Sequence, residues 1–183
     1  MKILVAGNSE FGLAESIKTA LDGHDVTFLS RASGYDLTKA EQQARFAEAA
    51  LSHDVIILCS ALWKFNQTLL LDATYKKLKA ENKRSLIICI GSTTDRVKKA
   101  TEWLYNAEKK ALRDYCNSLG LNGVWNGGPR VTYISFGSLS NVQDKHPTRK
   151  TIPIEKAGVY IKWIIEQPAD LHVNEISIDP LQT

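Results

Sequence analysis

The sequence predicts an α/β fold, a doubly wound parallel sheet of about six or seven strands with helices on both faces. Short apolar runs alternate with longer amphipathic segments along most of the 183 residues. Several of these runs are almost continuously apolar, which is typical of strands that are buried on both faces. The repeated order of strand, helix and strand indicates parallel strands joined by helices that cover the sheet.

Six apolar runs define the predicted strands, at residues 2–6, 25–29, 54–59, 85–90, 130–135 and 172–178. The shorter run YDL at residues 35–37 is a candidate for a further strand, third along the chain. Apolar residues at helical spacing predict helices at 12–22, 39–52, 66–80, 101–119 and 154–166. The segments 120–130 and 137–152 are irregular, and the second is placed where a loop can cover a ligand crevice.

Composition favours one globular domain over residues 1–183. Apolar residues make up 44% of the chain and charged residues 23%, and the formal net charge is +3. Such a charge is too small to predict nucleic-acid binding. The apolar run near the first residue is only about five residues long, too short for a signal peptide or a membrane span, so no membrane partner is expected.

The cysteines and histidines predict neither disulfides nor a metal site. The three cysteines, Cys59, Cys89 and Cys116, are an odd number without C-x-x-C spacing, and the four histidines lack the spacing of metal ligands. Reduced cysteines that pack as small apolar residues indicate a cytoplasmic protein.

A glycine turn joins the first predicted strand to the first helix. Gly7 and Gly12 enclose Asn8, Ser9 and Phe11. Such a turn gathers backbone N–H groups and a helix N-terminus at one point, which suits a pyrophosphate. The alternative, a strand-to-helix turn that merely needs glycine, is about equally open from this stretch alone. Its place after the first strand of an alternating pattern favours dinucleotide binding.

The second predicted strand ends at Ser30 and Arg31. An acidic residue at this place accepts hydrogen bonds from the ribose 2′-hydroxyl of NAD, whereas a guanidinium and a hydroxyl suit the 2′-phosphate of NADP. Arginine after a strand is also a common solvated residue. Together with the glycine turn, Ser30 and Arg31 favour NADP over NAD.

The spacing Tyr-x-x-x-Lys occurs three times, at Tyr35 and Lys39, at Tyr75 and Lys79, and at Tyr105 and Lys109. Only Tyr105 has a hydroxyl residue thirteen positions earlier, Ser92, which follows a buried strand. Tyrosine and lysine four residues apart share one face of a helix. This copy is therefore the candidate for chemistry, although Ser92 can simply cap a turn and Tyr105 can simply pack.

Ser92, Tyr105 and Lys109 resemble the active site of the short-chain dehydrogenase/reductase family, which has a Rossmann-like fold. In that family a serine after the fifth strand and a Tyr-x-x-x-Lys on the next helix form the site, and the spacing matches if YDL at 35–37 is the third strand. Asn66 stands where the family has its fourth catalytic residue; a helix N-cap is an equal alternative. The resemblance extends from Lys2 to about Ser140.

Three departures from the family pattern concern the cofactor turn, the last loop and the length. Ala6 replaces a threonine, four residues rather than three separate Gly7 from Gly12, and Ala14 replaces the last glycine. Phe136 replaces the proline that precedes Gly137. The chain is also shorter than is usual for the family, so we expect a small or open substrate pocket.

Further cofactor contacts follow from the predicted carboxyl edge of the sheet and from the resemblance. Ser60 and Ala61 follow the strand at 54–59, and Gly137 and Ser138 follow the strand at 130–135. The resemblance implies that Asp36, beside Leu37, accepts a hydrogen bond from the adenine amino group. An equal alternative for Asp36 is a role in a helix N-terminus with Thr38.

The resemblance also implies the catalytic roles. Tyr105 donates or accepts the proton, and because a free phenol has a pKa near 10 it needs a nearby cation for base work at neutral pH. Lys109 supplies that cation and holds the nicotinamide ribose, so Tyr105 and Lys109 also belong to the cofactor site. Ser92 hydrogen-bonds the substrate oxygen, and Asn66 positions a water molecule that connects Lys109 to solvent.

The function predicted is that of an NADP-dependent oxidoreductase acting on a small carbonyl or alcohol. An alternative is a catalytically silent NADP-binding regulator with the same fold; a third is a sugar-nucleotide epimerase or reductase, which needs a larger C-terminal region than 183 residues hold. By resemblance, a homodimer or homotetramer forms through the helices at 66–80 and 101–119. The tryptophans Trp63, Trp103, Trp125 and Trp163 are interpreted as packing or interface residues.

Overall fold

The computed structural model describes residues 1–96, 102–145 and 147–181 and confirms the α/β prediction. Within them, six parallel strands form one sheet in the order β2-β1-β3-β4-β5-β6. The strands are β1 Lys2–Ala6, β2 Asp25–Leu29, β3 Val55–Leu58, β4 Leu86–Ile90, β5 Arg130–Phe136 and β6 Glu175–Ile178. The order reverses between β1 and β3, which opens a crevice at their carboxyl ends.

Five helices cover the sheet in the described part of the chain. They are α1 Gly12–Ala20, α2 Ala40–Ala50, α3 Asn66–Ala80, α4 Leu104–Asn126 and α5 Ile154–Ile165. Helices α1 and α5 pack together on one face, and α2, α3 and α4 pack on the other. None of these helices is both long and apolar enough to cross a membrane.

The central strands send alternate side chains into two apolar cores. In β1, Ile3 and Val5 join the core beneath α1 and α5, while Leu4 joins the core beneath α2, α3 and α4. Leu4 lies beside Ile56 of β3, and Ile56 lies beside Ile87 of β4. Because both faces are buried, these strands are almost continuously apolar, which is why the sequence located them correctly.

The predicted extra strand at 35–37 is wrong. A short 3-10 helix, Arg31–Ser33, follows β2, and residues 35–37 form no ladder. The backbone groups of this segment are used in local turns: Tyr35 N donates to Ser30 O at 2.9 Å, and Lys39 N donates to Asp36 O at 3.0 Å. Within the described residues β2 is therefore the edge of the sheet, and Ser92 follows the fourth strand.

The segment 120–130 is not irregular as predicted, because α4 continues to Asn126. Two of its glycines, Gly120 and Gly123, serve packing and not a turn, whereas Gly127 and Gly128 follow the helix with positive φ. A Cβ atom at Gly120 would lie 2.8 Å from the carbonyl oxygen of Val131, and one at Gly123 would lie 2.3 Å from that of Pro129. Glycine thus lets the helix touch the start of β5. The predicted start of this helix, at 101, lies outside the described residues.

We expect Gly123→Ala to lower the free energy of unfolding by about 1–3 kcal/mol, because the added methyl group overlaps the Pro129 carbonyl. In an open helix the same change would be stabilising. Urea unfolding followed by circular dichroism measures the effect. Val124→Ala is the matched control, since Val124 is 50% exposed on the same helix. Unchanged stability in Gly123→Ala would contradict the close contact.

Candidate active site and cofactor crevice

One pocket gathers six of the predicted cofactor residues. Its volume is about 240 Å³, and it lies at the carboxyl ends of β2 and β3. The predicted residues in its lining are Ser30, Arg31, Asp36, Leu37, Ser60 and Ala61. Tyr35 and Leu62 complete the lining and were not among the predicted cofactor residues. Tyr35 was set aside because it lacks a serine partner, but its ring and the Leu62 side chain give the pocket apolar surface that suits a base.

The glycine turn is compatible with a close approach of pyrophosphate. A Cβ atom at Gly7 would lie 2.6 Å from Sγ of Cys59 and 3.0 Å from Cβ of Ala14, so only glycine fits there. Gly12 has φ +56, in the left-handed region that favours glycine. No side chain caps α1, which leaves the positive end of the helix dipole for an anion. The altered glycine spacing therefore still has two positions that favour glycine and a helix N-terminus without a side-chain cap.

The residues between the two glycines are used differently. Asn8 closes the turn, since its Oδ1 accepts from Glu10 N at 3.1 Å and its carbonyl accepts from Phe11 N at 3.2 Å. Phe11 is 70% exposed. Ser9 lines a surface groove of about 480 Å³ beside α1, together with Glu10, Glu15, Lys18, Thr19 and Asp22. Three carboxylates make that groove unsuited to phosphate.

Asp36 and Thr38 form a turn ahead of α2, whose N-cap is Lys39, so neither residue caps that helix. Its Oδ1 accepts hydrogen bonds from the Thr38 hydroxyl at 2.7 Å and the Thr38 N–H at 3.3 Å. These bonds, and then the guanidinium of Arg31 at 3.4 Å, lower the pKa of Asp36 although partial burial raises it. The Arg31 side chain remains 78% exposed. Part of its charge is thus neutralised before any phosphate binds.

Hydrogen bonds stabilise the carboxyl edge of the sheet, and they involve Ser60, Gly137 and Ser138. The Ser60 hydroxyl donates to the carbonyl of Ala6 at 2.8 Å and so joins the end of β3 to the end of β1. Gly137 N donates to Ile178 O at 2.8 Å. The Ser138 hydroxyl accepts from Arg149 at 3.3 Å, within the loop that follows β5. All three lie on the edge predicted for the cofactor.

Ser92 and Tyr105 lie together beyond the end of β4. Burial raises the pKa of the Tyr105 phenol above its ordinary value, and a hydrogen bond with the Ser92 side chain acts in the opposite direction. The carboxyl groups of Glu108 and Asp95 raise it further. The pKa of Tyr105 therefore lies above that of a free phenol, so Lys109 does not by itself produce a phenolate at neutral pH.

Lys109 is buried beside Tyr105. Its side chain is only 5% exposed, and Nζ lies 5.4 Å from the centroid of the Tyr105 ring. Nζ donates to Oε1 of Gln67 at 2.6 Å and to the carbonyl of Ile90 at 3.5 Å. Burial lowers the pKa of Lys109 to about 8, because removal from water disfavours the charged ammonium.

Gln67, and not Asn66, contacts Lys109. Besides accepting from Lys109, Gln67 donates through Nε2 to Leu58 O at 3.0 Å and Ile90 O at 2.8 Å, which are the last residues of β3 and β4. Asn66 Nδ2 instead donates to the carbonyl of Trp63 at 2.6 Å, in the turn that begins α3. The relay role of Asn66 stays a prediction. The signal that was missed is a glutamine on the buried face of a helix.

A second buried group supports Ser92 from beneath. Tyr133 is fully buried in β5, and its hydroxyl donates to Oδ2 of Asp95 at 2.7 Å and accepts from Ser92 N at 3.3 Å. A Cβ atom at Gly91 would overlap this hydroxyl, at 1.9 Å. Burial raises the pKa of Asp95, while the Tyr133 hydrogen bond lowers it. Sequence reasoning found neither Tyr133 nor Asp95, because they lie 38 residues apart.

The described residues, with gaps at 97–101, 146 and 182–183, contain no cluster of three His, Cys, Asp or Glu side chains able to hold a metal ion. No protein-family model matches the sequence. A comparison with curated proteins gives no match either.

Solved structures with the same fold are known, at low sequence identity. A short chain dehydrogenase from Burkholderia cenocepacia J2315, in complex with NADP, matches with a TM-score of 0.75 at 20% identity, over 96% of this chain and 86% of that one. An alcohol dehydrogenase from the archaeon Thermococcus sibiricus, complexed with 5-hydroxy-NADP, gives 0.71 at 17% identity, over 97% and 94%. Ribose-5-phosphate isomerase from Brucella melitensis 16M gives 0.74 at 14% identity, over 97% and 90%.

The chain has the short-chain dehydrogenase/reductase fold, and the resemblance seen in the sequence is confirmed at that level. Identities this low establish the fold alone, and one of the three structures described above is named for an isomerase. The reaction therefore has to be argued from the site.

The pKa of Lys109 makes stability depend on pH in a defined direction. Its folded value, about 8, lies below the ordinary 10.5, so the unfolded chain binds more protons between these pH values. The burial penalty is thus fully present below pH 8 and is relieved as the pH rises towards 10.5. From pH 7 to pH 10, we expect the free energy of unfolding of the natural protein to gain roughly 1–3 kcal/mol relative to Lys109→Met.

Urea unfolding of both proteins at several pH values measures this difference. Lys110→Met is the matched control, since Lys110 is the next residue of α4 and is only half-buried. The difference in free energy of unfolding between the natural protein and Lys109→Met should change with pH. If it does not, or if Lys110→Met gives an equal change, the prediction of a lowered pKa for Lys109 is wrong.

Proposed function

We propose that the chain is a single-domain, NADP-dependent oxidoreductase that transfers a hydride between nicotinamide and the carbon of a small carbonyl or alcohol. The observation that carries this proposal is the meeting of Ser92 and Tyr105 at the carboxyl edge of β4, with Lys109 beside the phenol. Two hydroxyl groups at one point can hold one substrate oxygen. The cofactor, when bound, supplies or accepts the hydride.

The state of Tyr105 favours the direction of carbonyl reduction. Its raised pKa keeps the phenol protonated at neutral pH, so Tyr105 can give a proton to the oxygen of the reduced carbonyl. Ser92 stabilises the same oxygen by a hydrogen bond. The network of Tyr133 and Asp95 beneath Ser92 fixes the backbone at this residue. Proton transfer and oxygen binding are thus assigned to separate groups.

Lys109 is placed to serve both the phenol and the cofactor. An ammonium group has three donors, and among the residues that the structure describes two of them bond to Gln67 and the Ile90 carbonyl. The third is available for a ribose hydroxyl. The positive charge also favours phenolate formation once the substrate alcohol must lose a proton. Gln67 orients the amine for both purposes.

The crevice fits NADP at both ends. Gly7, Gly12 and the uncapped start of α1 suit the pyrophosphate, and the pocket that holds Arg31 suits the adenosine. Arg31, largely exposed, is the group that would meet a 2′-phosphate, while its partial pairing with Asp36 reduces the preference over NAD. We also propose a cytoplasmic location, consistent with free Cys59, Cys89 and Cys116, and a homodimer or homotetramer.

Tyr105→Phe tests the reaction. We expect it to lower kcat/KM for a panel of ketones, aldehydes and alcohols by on the order of 10²–10⁴-fold, because the proton donor is lost, while NADPH affinity changes far less. Steady-state assays and NADPH titration measure both effects. Tyr160→Phe is the control, since Tyr160 lies on α5 and is 40% exposed. NADPH binding without turnover of any compound would favour the silent regulator.

Arg31→Ala tests cofactor choice. We expect NADPH affinity to fall by about tenfold or more, since a charge-assisted bond to phosphate is lost, while NADH affinity changes little. Asp36→Asn should have the opposite effect and strengthen NADPH binding, because it removes the carboxylate that neutralises Arg31. Equal losses for both cofactors in Arg31→Ala would overturn the assignment to the 2′-phosphate.

A further inference from the structure

Two half-exposed indoles contact the Tyr105 ring. The ring centroids of Trp63 and Trp103 lie 5.2 Å and 5.0 Å from that of Tyr105. Trp63 is 56% exposed and Trp103 is 55% exposed. Trp63 comes from the connection between β3 and α3, and Trp103 directly precedes α4, so separate segments converge on one phenol. Exposed apolar side chains that form a group, unlike scattered ones, mark a binding surface.

The connection between β3 and α3, which carries Trp63, has a strained backbone that a hydrogen bond holds in place. Lys64 and Phe65 have φ values of 58 and 60, in the left-handed region, which costs roughly 1 kcal/mol or more for each non-glycine residue. The carboxylate of Glu108 accepts from Lys64 N at 2.6 Å. Glu108 is buried one turn after Tyr105 on α4. The connection is thus fastened to the helix that bears the phenol.

The electrostatics of the phenol disfavour an anionic substrate. The carboxyl groups of Glu108 and Asp95 both act on Tyr105 in the direction expected of negative charge. Both are buried and already bonded, to Lys64 N and to the Tyr133 hydroxyl. They act against a carboxylate or phosphate next to the reacting carbon, and the single ammonium of Lys109 beside the ring offsets part of that effect. An uncharged substituent that can pack on indole rings is favoured instead.

We propose that Trp63 and Trp103 form an aromatic wall that selects an uncharged aromatic aldehyde or ketone as the substrate. This inference rests on the proposed oxidoreductase function and names the substrate class. The ring of the substrate packs against the indoles, and its carbonyl oxygen accepts hydrogen bonds from Tyr105 and Ser92. The carbonyl carbon receives a hydride from NADPH and the oxygen receives the Tyr105 proton, which gives the aromatic alcohol and NADP⁺.

The test compares benzaldehyde with acetaldehyde in the natural protein and in Trp63→Ala and Trp103→Ala. Each substitution should lower kcat/KM for benzaldehyde by about 5- to 10-fold more than kcat/KM for acetaldehyde, the value of one aromatic contact. NADPH affinity should not change. Trp125→Ala and Trp163→Ala are matched controls, because these tryptophans are 75% and 47% exposed elsewhere on the surface. Phenylglyoxylate, aromatic but charged, should be a poor substrate.

Other outcomes would contradict either the aromatic wall or the proposed function. Equal loss for both aldehydes, or equal loss in the controls, would overturn the aromatic wall while the oxidoreductase function stands. A change of oligomeric state in Trp63→Ala or Trp103→Ala, by sedimentation, would assign the indoles to a subunit interface instead. If neither aldehyde is reduced, the proposed function fails, and a binding measurement tests the aromatic wall separately. Tryptophan fluorescence should then show that the natural protein binds benzamide but not acetamide. Both Trp63→Ala and Trp103→Ala should lose benzamide binding.

Discussion

The burial of the central strands on both faces is the constraint on which the site depends. Val55 to Leu58 and Leu86 to Ile90 are completely covered by helices, so neither face of β3 or β4 can carry polar chemistry. Only the ends of the strands remain. Ser60, Ser92 and the carbonyls of Leu58 and Ile90 all stand at that edge, where buried carbonyls need partners. The candidate functional groups therefore lie at this edge, where the carbonyls at the strand ends still need hydrogen-bond partners.

Gln67 links this constraint to the chemistry. One side chain satisfies the last carbonyls of two neighbouring strands and presents its oxygen to Lys109. A buried ammonium is costly unless it is hydrogen-bonded, so this oxygen stabilises the lysine near the phenol. The amine could not stay at 5% exposure without such a partner. The hydrogen bonds of Gln67 therefore both satisfy the strand ends and hold Lys109 near the phenol.

Most strands and helices could be predicted from the sequence, because apolar runs of four to seven residues report burial directly. Errors arose where a local pattern had two physical meanings. The run YDL is apolar enough for a strand, but Asp36 supplies a better local acceptor for Thr38. Gly120 and Gly123 resemble turn residues, yet they allow contact with β5. The pairing of Gln67 with Lys109 spans 42 residues, which no local pattern reveals.

The sequence by itself determined the parallel sheet and the glycine turn, because hydrophobic periodicity and short-range spacing follow from local geometry. The association of Ser92 with Tyr105 was implied by the family resemblance. The tertiary structure alone decided which partner Lys109 finds, that the pKa of Tyr105 lies above its ordinary value and that Trp63 and Trp103 contact its ring. Those properties depend on burial and on contacts between distant segments. Burial sets the free energy of each charged group, and it exists only once the chain has folded.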